Sequence, residues 1–161
     1  MREEFGLQHR YDSSIDGELR YSFITDTVIR YIAYFLDMSC YGDVFQNIYT
    51  FNFESEHNTR THYDFKVANT IAFIIDKFFT VNTNSLIFVC DSMDESHMGR
   101  HRLFNKWFCK YNDGSLEKSD KVVTTKDYTI CTSLITHNAN PNKALAIMAF
   151  EQQANPSFYT E

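Results

Sequence analysis

The chain has few of the residues that interrupt regular structure: its 161 residues include two prolines and five glycines. Collagen-like and low-complexity disordered chains need far more of both, so the composition excludes those classes. Long apolar runs are also missing. The longest, near Ile71–Ile75 and Leu86–Cys90, fall well short of the ~20 residues of a membrane-spanning helix. The polar N-terminus lacks the apolar segment of an export signal. We expect a soluble, cytoplasmic protein with no membrane partner.

Familiar catalytic signatures are absent as well. The sequence contains no P-loop, no dinucleotide-binding glycine pattern, no H-E-x-x-H helix and no G-x-S-x-G turn. Its four cysteines, Cys40, Cys90, Cys109 and Cys131, form no C-x-x-C pair and have no histidine at zinc-ligand spacing. These patterns predict reduced thiols and no metal.

The chain has fewer basic residues than acidic ones. The chain has 15 Lys and Arg against 21 Asp and Glu, which gives a net charge of −6 and a pI of about 5.5. Nucleic-acid-binding domains usually have a basic face and a pI above about 9. The charge balance therefore argues against nucleic acid as the partner.

Aromatic residues, in contrast, are in excess, with 15 Phe and 10 Tyr. A chain of this length is close to the size of one domain and can bury about 68–70% of its unfolded surface. We predict a single domain over residues 1–161, with a loosely ordered N-terminal segment (1–19) and an α+β core (20–161). We expect an intracellular bacterial protein, and the abundance of Asn, Ile, Lys, Phe and Tyr, whose codons are AT-rich, indicates an AT-rich genome.

The patterning predicts the element order β-β-β-α-β-α-β-α. Alternating and β-branched runs predict strands at 21–25, 29–38 and 48–54, and the short connections make them an antiparallel meander. Helical spacing begins after Asp64, and the continuous apolar run at 86–90 predicts a strand buried on both faces. The fold class is α+β, a mixed sheet with helices on its faces.

The second half of the chain continues the alternation. A second helix ends at Gly114 and carries an apolar stripe of Phe104, Trp107, Phe108 and Tyr111. The charged stretch at 116–126 predicts a loop, and 128–136 predicts a strand. A third helix starts with Pro141 at its first position, and its predicted buried stripe is Ala144, Leu145 and Met148.

The densest set of reactive side chains follows the strand at 86–90. The candidate catalytic residues are Asp91, His97, Arg100 and His101, and Ser92 is a candidate ligand-binding residue. Arg100 would hold an anion, and His97 or His101 would be the general base. The competing interpretation is structural, because helix N-termini favour Asp, Glu and Ser as caps and counter-charges.

A second polar stretch precedes the first helix. Arg60, His62 and Asp64 are candidate ligand-binding residues there. A metal site would need three ligands that converge in space, which spacing alone does not provide. The alternative is an ordinary polar loop, since loops carry such residues in any case.

Two resemblances accompany these patterns. Three stretches resemble an uncharacterised bacterial family of small proteins, a domain of unknown function that would cover the chain from Tyr21 onward. They are Asp64–Val67 with Thr70-Ile71, then Leu86–Ser92, and then Arg100, Phe104, Trp107 and Phe108. This resemblance implies no activity.

The order β-β-β-α-β-α-β is similar to the core of GNAT acyltransferases. The resemblance implies that acyl-CoA would bind where the third meander strand and the next strand splay apart. Its pyrophosphate would lie on the N-terminus of the first core helix. The matching stretch, 60–67, has Arg60 but none of the family's glycines, and a helix stands where the family has its final strand. The resemblance therefore implies a scaffold and no catalytic residues.

Two functions follow from these observations. The first is a non-enzymatic domain that binds a small molecule or a protein partner on a GNAT-like scaffold, without a cofactor. Homodimer formation through a sheet edge is one form of such a partner. The second is a divergent acyltransferase-like enzyme with its site at Asp91 to His101, and only this alternative uses acyl-CoA.

Overall fold

The computed structural model describes residues 10–15, 19–56, 64–91 and 97–159. The helices and strands follow one another along the chain as β1 (Ser13–Ile15), β2 (Arg20–Ile24), β3 (Arg30–Asp37), β4 (Ile48–Ser55), α1 (Phe65–Phe78), β5 (Ser85–Asp91), α2 (His97–Tyr111), β6 (Leu116–Thr124), β7 (Thr129–His137) and α3 (Lys143–Gln153). Short 3-10 turns lie at Ser39–Tyr41, Asp43–Phe45 and Pro156–Tyr159. No helix in these ranges is long and apolar enough to cross a membrane.

The strands form one seven-stranded mixed sheet in the order β1-β2-β3-β4-β5-β7-β6. Neighbouring strands are antiparallel except for β4 and β5, which are parallel and joined by the crossover helix α1. The predicted α+β class is confirmed: an antiparallel meander leads into helix–strand alternation, with helices on the sheet faces.

Two apolar cores lie on opposite faces of the sheet, because successive side chains of a strand point to opposite sides. In β5, Leu86 and Phe88 belong to the core beneath α1 and α2, and Ile87 belongs to the core beneath α3. The larger core is rich in stacked aromatic rings; Phe88 and Phe104, for example, lie 4.1 Å apart and are nearly parallel. The aromatic residues of β4 also contribute to this core.

The charged stretch at 116–126, for which we predicted a loop, is strand β6, so that prediction is wrong. β6 pairs along its whole length with β7, from Leu116 opposite His137 to Thr124 opposite Thr129. Among the strands of the described residues, it has no partner on its other side. Charged residues on such an edge strand discourage pairing with other chains, so the charge that indicated a loop is typical of this edge position. The chain therefore has two strands, β6 and β7, between α2 and α3, where we predicted only one.

The predicted buried face of α3 is also wrong. Ala144, Leu145 and Met148 are exposed, and the residues buried against the sheet are Ala146, Ala149, Phe150 and Gln153. The helix is apolar on several sides, so hydrophobic spacing does not single out the buried face. It begins at Lys143 with Asn142 as its N-cap, two residues beyond the predicted proline start.

The parallel strands β4 and β5 separate soon after they meet. They pair over only three positions, Ile48 to Thr50 against Ser85 to Ile87. β4 nevertheless continues to Ser55 and β5 to Asp91. Beyond Thr50 and Ile87 the two strands do not pair with each other, which leaves a gap between them.

Candidate functional site

An apolar cleft lies between α1 and α2 on one face of the sheet. Its cavity volume is about 40 Å³, well below the range of about 300–1,000 Å³ that is common for the sites of drug-sized molecules. We call it the α1–α2 cleft. Its lining residues are Ile71, Ala72, Ile75, Phe104, Trp107, Phe108, Tyr111, Asn112, Leu116 and Ile135. None of these described lining residues is charged.

Each helix turns an apolar stripe toward the cleft because the residues recur every three to four positions. Ile71 and Ile75 on α1 are one turn apart, as are Phe104 and Phe108 on α2. From the sequence we predicted the apolar stripe of α2, and for α1 only the helical spacing. The two stripes pack on the sheet without closing completely on each other, and that gap is the cleft.

The polar atoms at the end of the cleft near Asn112 already have partners. Tyr111 donates its hydroxyl hydrogen to the side-chain oxygen of Asn69. Asn112 donates from Nδ2 to the Leu116 carbonyl at 2.8 Å and accepts from the Leu116 amide at 3.2 Å. A ligand at this end would therefore meet apolar surface and polar groups that are already paired.

Trp107 differs from these neighbours. Its indole ring lines the cleft and lies 5.8 Å from the ring of Phe53 on β4. Its Nε1 is buried and has no hydrogen-bond partner among the described residues. The indole nitrogen can only donate, and because it is buried while the accessible surface of the cleft is almost wholly apolar, this N–H group is not presented to the cleft.

Several of the predicted site residues have side chains outside the described part of the chain. Arg60, His62 and Ser92 lie in stretches that the structure does not describe. Asp91 ends β5, and His97 and Arg100 lie in the first turn of α2, described there as backbone only. Their predicted roles stay predictions.

His101 is the one predicted catalytic residue with a described side chain. It is partly buried, and its Nδ1 is buried without a hydrogen-bond partner among the described residues. Burial lowers the pKa of His101; the charge of Asp120 opposes this shift and that of Lys118 adds to it. The imidazole is therefore neutral at neutral pH, the form in which it can accept a proton.

The charge of Asp120 on β6 acts on His101. Asp120 also belongs to a small polar cluster with Lys118 on β6 and Ser133 on β7. It accepts from the Ser133 hydroxyl at 2.5 Å and forms an ion pair with Lys118. Burial raises the pKa of Asp120, but the hydrogen bonds from Lys118 and Ser133 outweigh it, so the net direction is downward. The carboxylate stays ionised and balances Lys118.

Asp64, a candidate ligand-binding residue in the sequence, is the N-cap of α1. Its carboxylate accepts from the Lys66 amide at 2.8 Å and from the Tyr11 hydroxyl at 2.6 Å. Tyr11 in turn accepts from the Asp26 amide at 3.2 Å. Among the described residues, the partners of Asp64 differ from Asp120 and Lys118, the charged groups that act on His101.

All four cysteines lie in the described part of the chain, and none forms a disulfide. Cys90 and Cys131 are buried directly opposite each other on β5 and β7. Burial, and then the charge of Asp120, raises the pKa of Cys131, which disfavours the reactive thiolate. Across the described ranges, no three His, Cys, Asp or Glu side chains are grouped as metal ligands would be.

Comparison with known proteins identifies a family but no activity. The model of a family of unknown function, DUF6169, matches residues 63–152, which include the whole α1–α2 cleft. Among solved structures, the chain is similar to a CoA-dependent acyl-homoserine lactone synthase, MesI, with 11% identity and a TM-score of 0.38. That similarity covers 86% of this chain and 72% of the synthase, and similarity at that level does not assign a function. No curated protein matches the chain.

Proposed function

Since this chain belongs to the family of unknown function DUF6169, we propose a function from its own geometry: it binds a small molecule through an alkyl chain held in the α1–α2 cleft. The observation that carries the proposal is the almost wholly apolar lining of the cleft, whose cavity volume of about 40 Å³ leaves room for the end of an alkyl chain. An extended alkyl chain fits a narrow apolar space, and burying it gains about 0.8 kcal/mol per methylene.

The paired state of the cleft's polar groups supports a binding role without catalysis. Tyr111 and Asn112 are engaged with Asn69 and Leu116, and the described residues that line the cleft include no carboxylate, imidazole, amine or thiol. A catalytic pocket would need such a group within hydrogen-bond reach of the ligand. The GNAT-like scaffold would then serve as a rigid support for binding.

A chain-length series tests the proposal. Melting temperatures would be measured with hexan-1-ol, octan-1-ol and decan-1-ol. Affinity should rise about fourfold per added methylene until the cleft is full. A ligand at a hundredfold excess over its Kd should stabilise the fold by about 2.7 kcal/mol, which corresponds to about 5–10 °C.

Matched variants locate the binding. Ile75→Phe should block the cleft and abolish the shift, whereas Ile147→Phe makes the same change on the exposed side of α3 and should preserve it. Each variant is first compared with the parent protein without ligand, so that overpacking is measured separately. An equal response of the two variants would contradict the proposal.

A second candidate function is an acyltransferase-like enzyme that uses acyl-CoA. The observation that favours it is the early separation of β4 from β5, since the GNAT resemblance implies CoA binding at such a gap. The neutral imidazole of His101 would be its general base. Against it, Asp64 already accepts a hydrogen bond from the Lys66 amide at the α1 N-terminus, where a pyrophosphate would need free N–H donors and no negative charge.

Coenzyme A without an acyl chain separates the two functions: a thermal shift favours the enzyme, and no shift favours alkyl-chain binding.

A further inference from the structure

Strand β6 presents a free edge of the sheet, because among the strands of the described residues it pairs only with β7. Such an edge carries unpaired N–H and C=O groups that can pair with a further strand. Its side chains alternate between the two faces of the sheet. Glu117 and Lys121 lie on the α3 face, where each forms an ion pair with that helix, and Lys118 and Asp120 pair with each other on the α2 face.

The order of these charges fits β6 of a second copy of the chain. When two identical strands pair antiparallel about a two-fold axis, both copies keep the same face of the sheet on the same side. Only residues of the same face then lie opposite each other, so the axis passes through a residue. With the axis at Ser119, Glu117 lies opposite the partner's Lys121, and Lys118 lies opposite the partner's Asp120. Symmetry repeats both pairs of opposite charge.

Charge disfavours the neighbouring positions of the axis. An axis at Glu117, Lys118, Asp120 or Lys121 would place that residue opposite its own copy, and like charges directly opposite each other are destabilising. Axes nearer either end of β6 pair fewer residues. The charges that discourage pairing with other strands therefore favour one register of self-pairing.

The same register accounts for an exposed apolar residue. Val122 is 68% exposed although it lies in a strand. The axis at Ser119 places it opposite the partner's Leu116, on the same face of the sheet, where pairing would remove part of its apolar surface from water.

We propose that the chain forms a symmetric dimer in which β6 pairs antiparallel with β6 of a second copy, centred on Ser119. The two seven-stranded sheets then join into one continuous sheet. A single strand pair makes a small interface, so the dimer dissociates on dilution. Its formation does not depend on a ligand in the α1–α2 cleft.

Sedimentation equilibrium over a concentration series tests the dimer and its charge pairs. The parent protein should pass from monomer to dimer as its concentration rises. Glu117→Lys and Lys121→Glu each place like charges opposite each other and should weaken self-association about tenfold or more. An equimolar mixture of these two variants pairs opposite charges again and should restore the dimer. Glu54→Lys makes the same charge change at an exposed position of β4 and should associate like the parent protein. A parent protein that stays monomeric, or a mixture that associates no better than its components, would overturn the inference.

Disulfide trapping tests the register with the charges of β6 unchanged, and it covers the case in which a charge variant does not fold. Ser119→Cys places two thiols opposite each other at the axis, with Cα atoms about 4.5–5.5 Å apart, within the reach of a disulfide. Thr124→Cys, also at an exposed position of β6, places its two copies about 30 Å apart. Both carry Cys40→Ser and Cys109→Ser, which remove the exposed native thiols. With oxidised glutathione, we expect a covalent dimer from Ser119→Cys and not from Thr124→Cys. Equal yields, or none from Ser119→Cys, would contradict the proposed register.

Discussion

His101 is the clearest case in which a single side chain carries a testable property. Its residue type marked it as a candidate in the sequence, but its pKa depends on its burial and on the charges of Asp120 and Lys118, which lie on the next strand, β6. Those contacts decide its pKa, and no local pattern contains them. Trp107 is a similar case. Its position in the apolar stripe of α2 predicts a core residue, but the sequence does not show whether its indole N–H has a hydrogen-bond acceptor.

Because burial lowers the pKa of His101 below its ordinary value of 6.5, the unfolded chain takes up this proton at a higher pH than the folded chain. The stability contributed by the neutral imidazole is therefore present above about pH 6.5 and is lost as the pH falls toward the folded pKa. We expect urea unfolding at pH 7.5 and 5.5 to reveal a larger loss of stability in the parent protein than in His101→Gln. An NMR titration that placed the pKa of His101 at or above 6.5 would contradict this.

Helix α1 shows how far local sequence rules reach at the scale of an element. Asp64 followed by helical spacing was enough to predict the start of the helix, because capping is a local interaction. The second partner of Asp64, Tyr11, lies 53 residues away in sequence. No local pattern links Asp64 to that N-terminal residue.

Removal of the α1 cap gives the second prediction. Asp64→Ala should destabilise the protein by about 0.5–2 kcal/mol, because the Lys66 amide loses its acceptor. The Tyr11 hydroxyl would also lose its acceptor in this variant. Asp64→Asn keeps a side-chain oxygen in place and should cost less. Denaturant unfolding of the three proteins measures the difference, and equal stabilities of Asp64→Ala and the parent would show that the cap contributes nothing.

Helix α3 shows where element-scale prediction fails. Apolar residues surround much of the helix, so its spacing predicted the exposed face instead of the buried one. The observed face contains Gln153, which is 1% exposed and accepts from the hydroxyl of Thr132 on β7 at 3.1 Å. A buried polar pair of this kind fixes the rotation of α3 on the sheet, and nothing in the helix sequence indicates its partner.

The Thr132–Gln153 pair gives the third prediction. Thr132→Val should cost about 1–3 kcal/mol, because it leaves the buried Gln153 oxygen without a donor. Gln153→Leu should also destabilise the protein, since the Thr132 hydroxyl loses its acceptor. The double variant should be more stable than the sum of the two losses implies, with a coupling of about 0.5–3 kcal/mol. Simple additivity in urea unfolding would mean that the hydrogen bond does not hold α3 in place.

At the scale of the whole molecule, the sequence predicted the α+β class and the meander, but it missed β6. Those successes come from local periodicity, which shows directly in the order of residues. Strand β6 was missed because its charged residues belong to a sheet edge, and only its pairing with β7 makes it a strand. The α1–α2 cleft was missed for the same reason, since it depends on how closely two separately predicted helices pack.

The most direct test of the central claim, that the α1–α2 cleft holds an alkyl chain, is a fluorescence titration with decan-1-ol. Trp107 is the only tryptophan and lines the cleft, so its emission reports on that site alone. We predict a saturable change in emission with one ligand per chain, which Ile75→Phe removes and Ile147→Phe preserves. No change, or a change that grows linearly without saturation, would contradict the account.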